Sequence, residues 1–251
     1  MAEFEGQVAL VTGAASGIGR STALLYALQG AKVIVSDVTK AGGQETVQLI
    51  HDAGGEAMFI GADVSNPVDC EALIRQTIDA YGRLDVAFNN AGIGGDSALT
   101  ADYGIEAWQK VININLSGVF YCMKYEIQAM LQGGHGAIVN MSSILGQVGF
   151  PTAAAYVAAK HGVVGLTQTA AAEYAAAGIR INVVGPAFIH TPLISGLEED
   201  EASRTMLIGL HPIGRLGMPE EVAELVVWLS SDKASFMVGA YVPVDGGYLT
   251  R

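Results

Sequence analysis

Basic residues are scarce in this sequence: 13 Lys and Arg stand against 25 Asp and Glu, a formal net charge of −12. Nucleic acid and anionic membranes both bind positive surface, so neither is an expected partner. Cysteine is nearly absent as well. Cys70 and Cys122 are too few for a disulfide framework, and with five scattered His they give no zinc-ligand spacing, so no metal is expected. No apolar run approaches the length of about 18 residues that a membrane span requires. The stretch 1–6 (MAEFEG) carries acids and no basic leader region, which points to a cytoplasmic protein. Charged residues reach only 15% while hydrophobic ones make 51%, far too apolar for a disordered chain. At 251 residues, a single α/β domain is expected.

What is present alternates. Short apolar runs at Val8–Val11, Val33–Val35, Ala57–Gly61, Val86–Phe88, Ala137–Val139, Ile181–Val184 and Tyr241–Val244 read as buried strands. Between them lie segments with apolar side chains at helical spacing: Ile18–Gln29, Lys40–Ala53, Pro67–Tyr81, Glu106–Leu131, Thr152–Ala177 and Pro219–Leu229. Seven strands alternating with helices predict a doubly wound, mostly parallel seven-stranded sheet of Rossmann type, with helices on both faces. Ligands of such sheets bind at the carboxyl ends of the strands. The stretch 187–215 is long for a connection in a compact domain and is expected to be a substrate lid.

The first strand runs into Thr12–Gly19 (TGAASGIG), which opens the first helix. Glycines there let backbone N–H groups approach a pyrophosphate whose charge sits on the helix N-terminus. Gly13, Ser16, Gly17, Ile18 and Gly19 are therefore candidate cofactor residues. Asp37 ends the second strand, where a carboxylate can accept from both ribose hydroxyls and repel a 2′-phosphate. Neither Ser16 nor Val38 is basic, so NAD is expected in preference to NADP.

Tyr156 and Lys160 stand four residues apart on one helical face. The neighbouring strand ends in Ser142 and Ser143, at the edge where a nicotinamide would lie. A hydroxyl, a phenol and an ammonium can share one substrate oxygen, and the ammonium is expected to lower the phenol's pKa toward neutrality.

Together these residues resemble, across the whole chain, the short-chain dehydrogenase/reductase family. The matching motifs are Thr12–Gly19, the Asn89-Asn90-Ala91-Gly92 run, Asn115, Ser143, and Tyr156 with Lys160. The resemblance selects Ser143 over Ser142 and implies a catalytic set of Asn115, Ser143, Tyr156 and Lys160, with Tyr156 as general acid/base. It further implies that Lys160 binds the nicotinamide ribose and that Asp63 and Val64 contact adenine. Asn89, Ala91 and Gly92 would line the cofactor's middle, and Pro186, Ile189 and Thr191 would lie near the carboxamide. Ala187 stands where the family usually has Gly, and the segment 244–247 resembles one that packs in homotetramers.

The stretches flanking these motifs are apolar, with Leu145, Val148, Phe150, Phe188, Leu193 and Leu197. An uncharged pocket of that kind favours hydride transfer between NAD(H) and a neutral secondary alcohol or ketone. The alternatives are a 3-oxoacyl-carrier-protein reductase, a sugar or polyol dehydrogenase, and a non-catalytic NAD-binding sensor. The first needs basic residues for its acidic partner, and 132–134 (QGG) supplies none.

Overall fold

The computed structural model describes residues 3–250. Its strands are β1 (Val8–Thr12), β2 (Lys32–Asp37), β3 (Glu56–Gly61), β4 (Val86–Asn89), β5 (Gly136–Met141), β6 (Ile179–Pro186) and β7 (Tyr241–Val244). The helices are α1 (Gly17–Leu28), α2 (Lys40–Asp52), α3 (Pro67–Tyr81), α4 (Ile105–Ile112), α5 (Gly118–Gly133), α6 (Ala154–Tyr174), α7 (Ser195–Glu198), α8 (Glu201–Gly209) and α9 (Pro219–Ser230). The strands form one sheet in the order β3-β2-β1-β4-β5-β6-β7. Every neighbouring pair is parallel. The sheet is thus wholly parallel among the described residues, because a helical crossover between successive strands returns the chain to the same end.

Alternation along each strand splits the core into two layers. In β1, Ala9 and Val11 face the layer formed with Tyr26 of α1, Ile50 of α2 and Val226 of α9. Val8 and Leu10 face the opposite layer, built with Leu73 of α3, Ile127 of α5 and Val163 of α6. All five residues of β1 are buried, as a central strand covered on both faces requires. The strand order reverses between β1 and β4, leaving a crevice above their carboxyl ends.

Three elements differ from the sequence reading. The expected helix over 106–131 is broken by a π-helical turn at Asn113–Ser117 between α4 and α5. The helix expected from Thr152 starts at Ala154, since Thr152 sits at φ +68°, outside helical space. The stretch 187–215, read only as a long connection that serves as a lid, contains α7 and α8, the second capped by Asp200, whose carboxylate accepts from Ser203 N at 2.8 Å.

Candidate active site

At the end of β1 the chain turns through Gly13 at φ +64° and Gly17 at φ +53°. A Cβ on Gly13 would lie 2.8 Å from the Ala91 backbone, and one on Gly19 would lie 2.2 Å from the Gly13 carbonyl. Asn90 fastens this turn to β4 by donating Nδ2 to the Thr12 and Gly13 carbonyls, both at 3.0 Å. Ser16 caps α1 in extended conformation, but its side chain makes no cap bond. The first-turn N–H groups are therefore left without a side-chain acceptor, a cradle suited to a diphosphate. Ile18 and Gly92 line the same cleft.

Beside the turn, Asp37 accepts from Ala15 N at 3.0 Å and from Thr39 N at 2.8 Å, one bond to each oxygen. Each oxygen retains acceptor capacity. Arg20, unremarked in the sequence, reaches the same turn, where its guanidinium holds the Ala15 and Gly42 carbonyls and pairs with Glu45 at 2.7 Å. Asp63 accepts from both Ser65 N and Ser65 Oγ. The Val64 side chain packs against Cys70 and Cys122, two buried free thiols with sulfurs 3.7 Å apart. Asn89 does not face the cleft with its amide. Its Nδ2 donates to Glu126 at 2.9 Å and to Asn140 at 3.0 Å, leaving only its backbone for a cofactor.

The π-helical turn widens the helix at Asn115, whose buried carboxamide takes both backbone groups of Ile93. Oδ1 accepts from Ile93 N at 2.8 Å and Nδ2 donates to Ile93 O at 2.7 Å. One irregular turn thereby fixes the chain leaving β4. On the other side of the cleft, Lys160 is 2% exposed and donates Nζ to Met141 O at 2.8 Å. The ammonium also lies 5.4 Å from the Tyr156 ring centroid. Burial pulls Lys160 down to about 8.

Tyr156 departs from expectation. Burial of its hydroxyl pushes its pKa up to about 12, with the Ser143 hydroxyl pulling the other way. Desolvation outweighs the ammonium because that group faces the ring and bonds to a carbonyl rather than to the phenol oxygen. Both serines border the cleft: Ser142 Oγ donates to the Lys160 carbonyl at 2.9 Å, while Ser143 Oγ, beside Tyr156, accepts from Leu145 N at 3.2 Å and makes only a long bond, 3.4 Å, to Pro186 O. A residue the sequence did not single out holds Ser143 in place: Tyr241 of β7 donates its hydroxyl to Ser143 O at 2.9 Å. Its ring fits only because position 185 is glycine, where a Cβ would lie 2.0 Å from that hydroxyl.

Ser143, Tyr156, Lys160, Pro186, Ile189 and Thr191 all border a single cavity of about 450 Å³. Ala187 lines it too, and its N–H keeps a regular bond to Val244 O at 3.1 Å, so the backbone path tolerates the alanine. The cavity is largely apolar but not uncharged, since Asp96 stands at its mouth. Among the described residues no His, Cys, Asp and Glu group forms a metal site. No helix there is long and apolar enough to cross a membrane.

Comparison with known proteins adds independent findings. A family model described as enoyl-(acyl carrier protein) reductase matches residues 13–249. The chain is 50% identical over 249 residues to cyclohexanol dehydrogenase of Acinetobacter sp. (strain SE19), covering 99% of this chain and 97% of that one. It is 46% identical over 245 residues to cis-4-hydroxycyclohexanecarboxylate dehydrogenase of Sinomonas cyclohexanicum, covering 98% and 97%. The crystal structure of levodione reductase superposes with a TM-score of 0.93 at 38% identity, covering 97% of this chain and 98% of that one. Two further solved relatives contain bound NADP.

Proposed function

This chain belongs to the short-chain dehydrogenase/reductase family, and on that premise we propose that it oxidises neutral alicyclic secondary alcohols to ketones with NAD, reversibly. The observation that carries the reading is the convergence of Ser143, Tyr156 and Lys160 on one largely apolar cavity beside a glycine cradle. The names of the cyclohexanol and hydroxycyclohexanecarboxylate enzymes support a ring alcohol.

The dinucleotide, when bound, supplies the nicotinamide that takes hydride from the carbinol carbon or returns it to the ketone. Gly13, Ser16, Gly17, Ile18 and Gly19 would hold its diphosphate, and Asp37 its adenosine ribose. Asp63 and Val64 would meet adenine, the backbone of Asn89 with Ala91 and Gly92 would border its middle, and Pro186, Ile189 and Thr191 would meet the carboxamide. Lys160 would hold the second ribose. Preference for NAD rests on the free acceptor capacity of Asp37, the uncharged Val38 and the engagement of Arg20 by Glu45.

Within the cleft, Ser143 orients the substrate oxygen and Tyr156 Oη takes its proton during oxidation or returns it during reduction. Asn115 and Lys160 would relay that proton toward solvent. The segment 187–215 would cover the substrate with Phe188, Leu193, Ile194 and Leu197, which line the cavity.

Initial rates with NAD and NADP on cyclohexanol, acyclic secondary alcohols and polyols test the reading, with Tyr156→Phe as control. NAD-linked oxidation of the ring alcohol, reduced at least about 100-fold by the substitution, is expected. Turnover confined to NADPH and a 3-oxoacyl thioester would overturn it.

A further inference from the structure

Among the described residues only two charged side chains, Asp96 and Lys160, border the cavity. Lys160 is buried, bonded to the Met141 carbonyl and set beside Tyr156, so it belongs to the reacting end of the cavity rather than to its mouth. Asp96 is the reverse case: exposed, on the loop that leaves β4, and without a hydrogen bond or ion pair among the described residues. An unpaired carboxylate at the mouth of an apolar cavity is an acceptor for whatever a substrate presents there.

Its position is fixed by its neighbours. Ser97 Oγ donates to Thr152 Oγ1 at 2.9 Å, and Ala98 N donates to Thr152 O at 3.1 Å. Thr152 is the one non-glycine residue with positive φ among those described, and it lies four positions before Tyr156. Such a conformation is unfavourable for a β-branched residue and persists where the surroundings enforce it. The strained residue thereby ties the Asp96 loop to the start of the helix carrying Tyr156. Ser97 and Thr152 add two hydroxyls to the same stretch of wall.

We infer that Asp96 is a specificity-determining residue that selects ring alcohols bearing a second hydrogen-bond donor and rejects those bearing a carboxylate. A second ring hydroxyl donates to the Asp96 carboxylate, whereas a ring carboxylate meets like charge and finds, among the described residues, no arginine or lysine at the mouth to pair with. The favoured class is therefore neutral alicyclic diols. This inference rests on the alcohol-oxidising reading of the site and refines its substrate class.

The test compares kcat/KM for cyclohexanol, cyclohexane-1,4-diol and 4-hydroxycyclohexanecarboxylate in the wild type, Asp96→Asn and Asp96→Ala. In the wild type the diol should match or exceed cyclohexanol, and the carboxylate should fall at least about tenfold below it. Asp96→Asn should raise the carboxylate-to-cyclohexanol ratio about three- to tenfold while keeping the diol preference, because an amide oxygen still accepts. Asp96→Ala should raise the same ratio and lose the diol preference. Added salt should narrow the wild-type ratio, as expected for an exposed charge. Equal use of the carboxylate and cyclohexanol by the wild type, or ratios unmoved in both variants, would overturn the inference while leaving the alcohol reading intact. Absence of turnover on all three rings in all three proteins would overturn the alcohol reading itself, and this inference with it.

Discussion

Glu126 is fully buried in α5, accepts from Asn89 and has one carboxyl oxygen with no partner; Asn89 Oδ1 is likewise unpartnered. Burial raises its pKa to about 8 from 4.5, the Asn89 bond opposing weakly. The folded state therefore retains a proton that the unfolded chain has lost at neutral pH. The associated stability is intact below about pH 4.5 and drains as pH rises toward 8, at about 1.4 kcal/mol per unit. Glu126→Gln should flatten the fall in Tm between pH 5 and 8, with the two proteins converging at the acid end in thermal melts. The Tyr156 hydroxyl, pushed up to about 12 in the chain itself, must lose a proton to act as base. Oxidation rates should therefore climb through pH 7 to 10 while reduction rates, which use the protonated phenol, stay level, and a flat oxidation profile would count against Tyr156 as the base. At this scale the sequence was legible for Ser143, Tyr156 and Lys160, whose types and spacing announce their chemistry. It was opaque for Asp96 and Tyr241. An acid after glycines reads as a solvated loop, and a β7 tyrosine reads as packing until β7 is set beside β6 and its hydroxyl reaches Ser143.

Among the elements, strand and helix succession followed from apolar runs and glycine punctuation, which is why the α/β sheet could be read directly. The π-helical turn at Asn113–Ser117 escaped because one extra residue in a helix barely disturbs apolar spacing over five positions. Helices α7 and α8 escaped because their acidic, short sequences carry little periodicity. The β1–α1 turn carries a sharper prediction. In Gly19→Ala the new methyl would meet the Gly13 carbonyl at 2.2 Å and Asn90 Nδ2 at 2.6 Å. Backbone on one side and a doubly bonded amide on the other cannot both yield. Dinucleotide affinity should fall at least tenfold and Tm by several degrees, measurable by fluorescence titration and calorimetry. An alanine tolerated in both assays would show that the turn is looser than its contacts indicate.

For the whole molecule, apolar surface remains where a lone chain has no use for it. Phe236 is 100% exposed and Val238 and Trp228 are 41% and 40% exposed near the β7 edge, while Ile105 on α4 is 86% exposed and Phe120 on α5 is 47% exposed. Two such regions support the homotetramer that we propose, since two distinct two-fold contacts generate four copies. Light scattering should give four chains for the wild type and fewer for Phe236→Glu; a monomeric wild type would overturn it. The reversal of strand order between β1 and β4 also has an evolutionary consequence. Asp37 hangs from the half of the sheet that grows toward β3, and Asp96 from the half that grows toward β7. Selection can therefore rewrite the preferred coenzyme and the preferred alcohol as separate heritable traits. In a double-mutant cycle, Asp37 and Asp96 substitutions should combine additively in log kcat/KM to within about 0.5 kcal/mol.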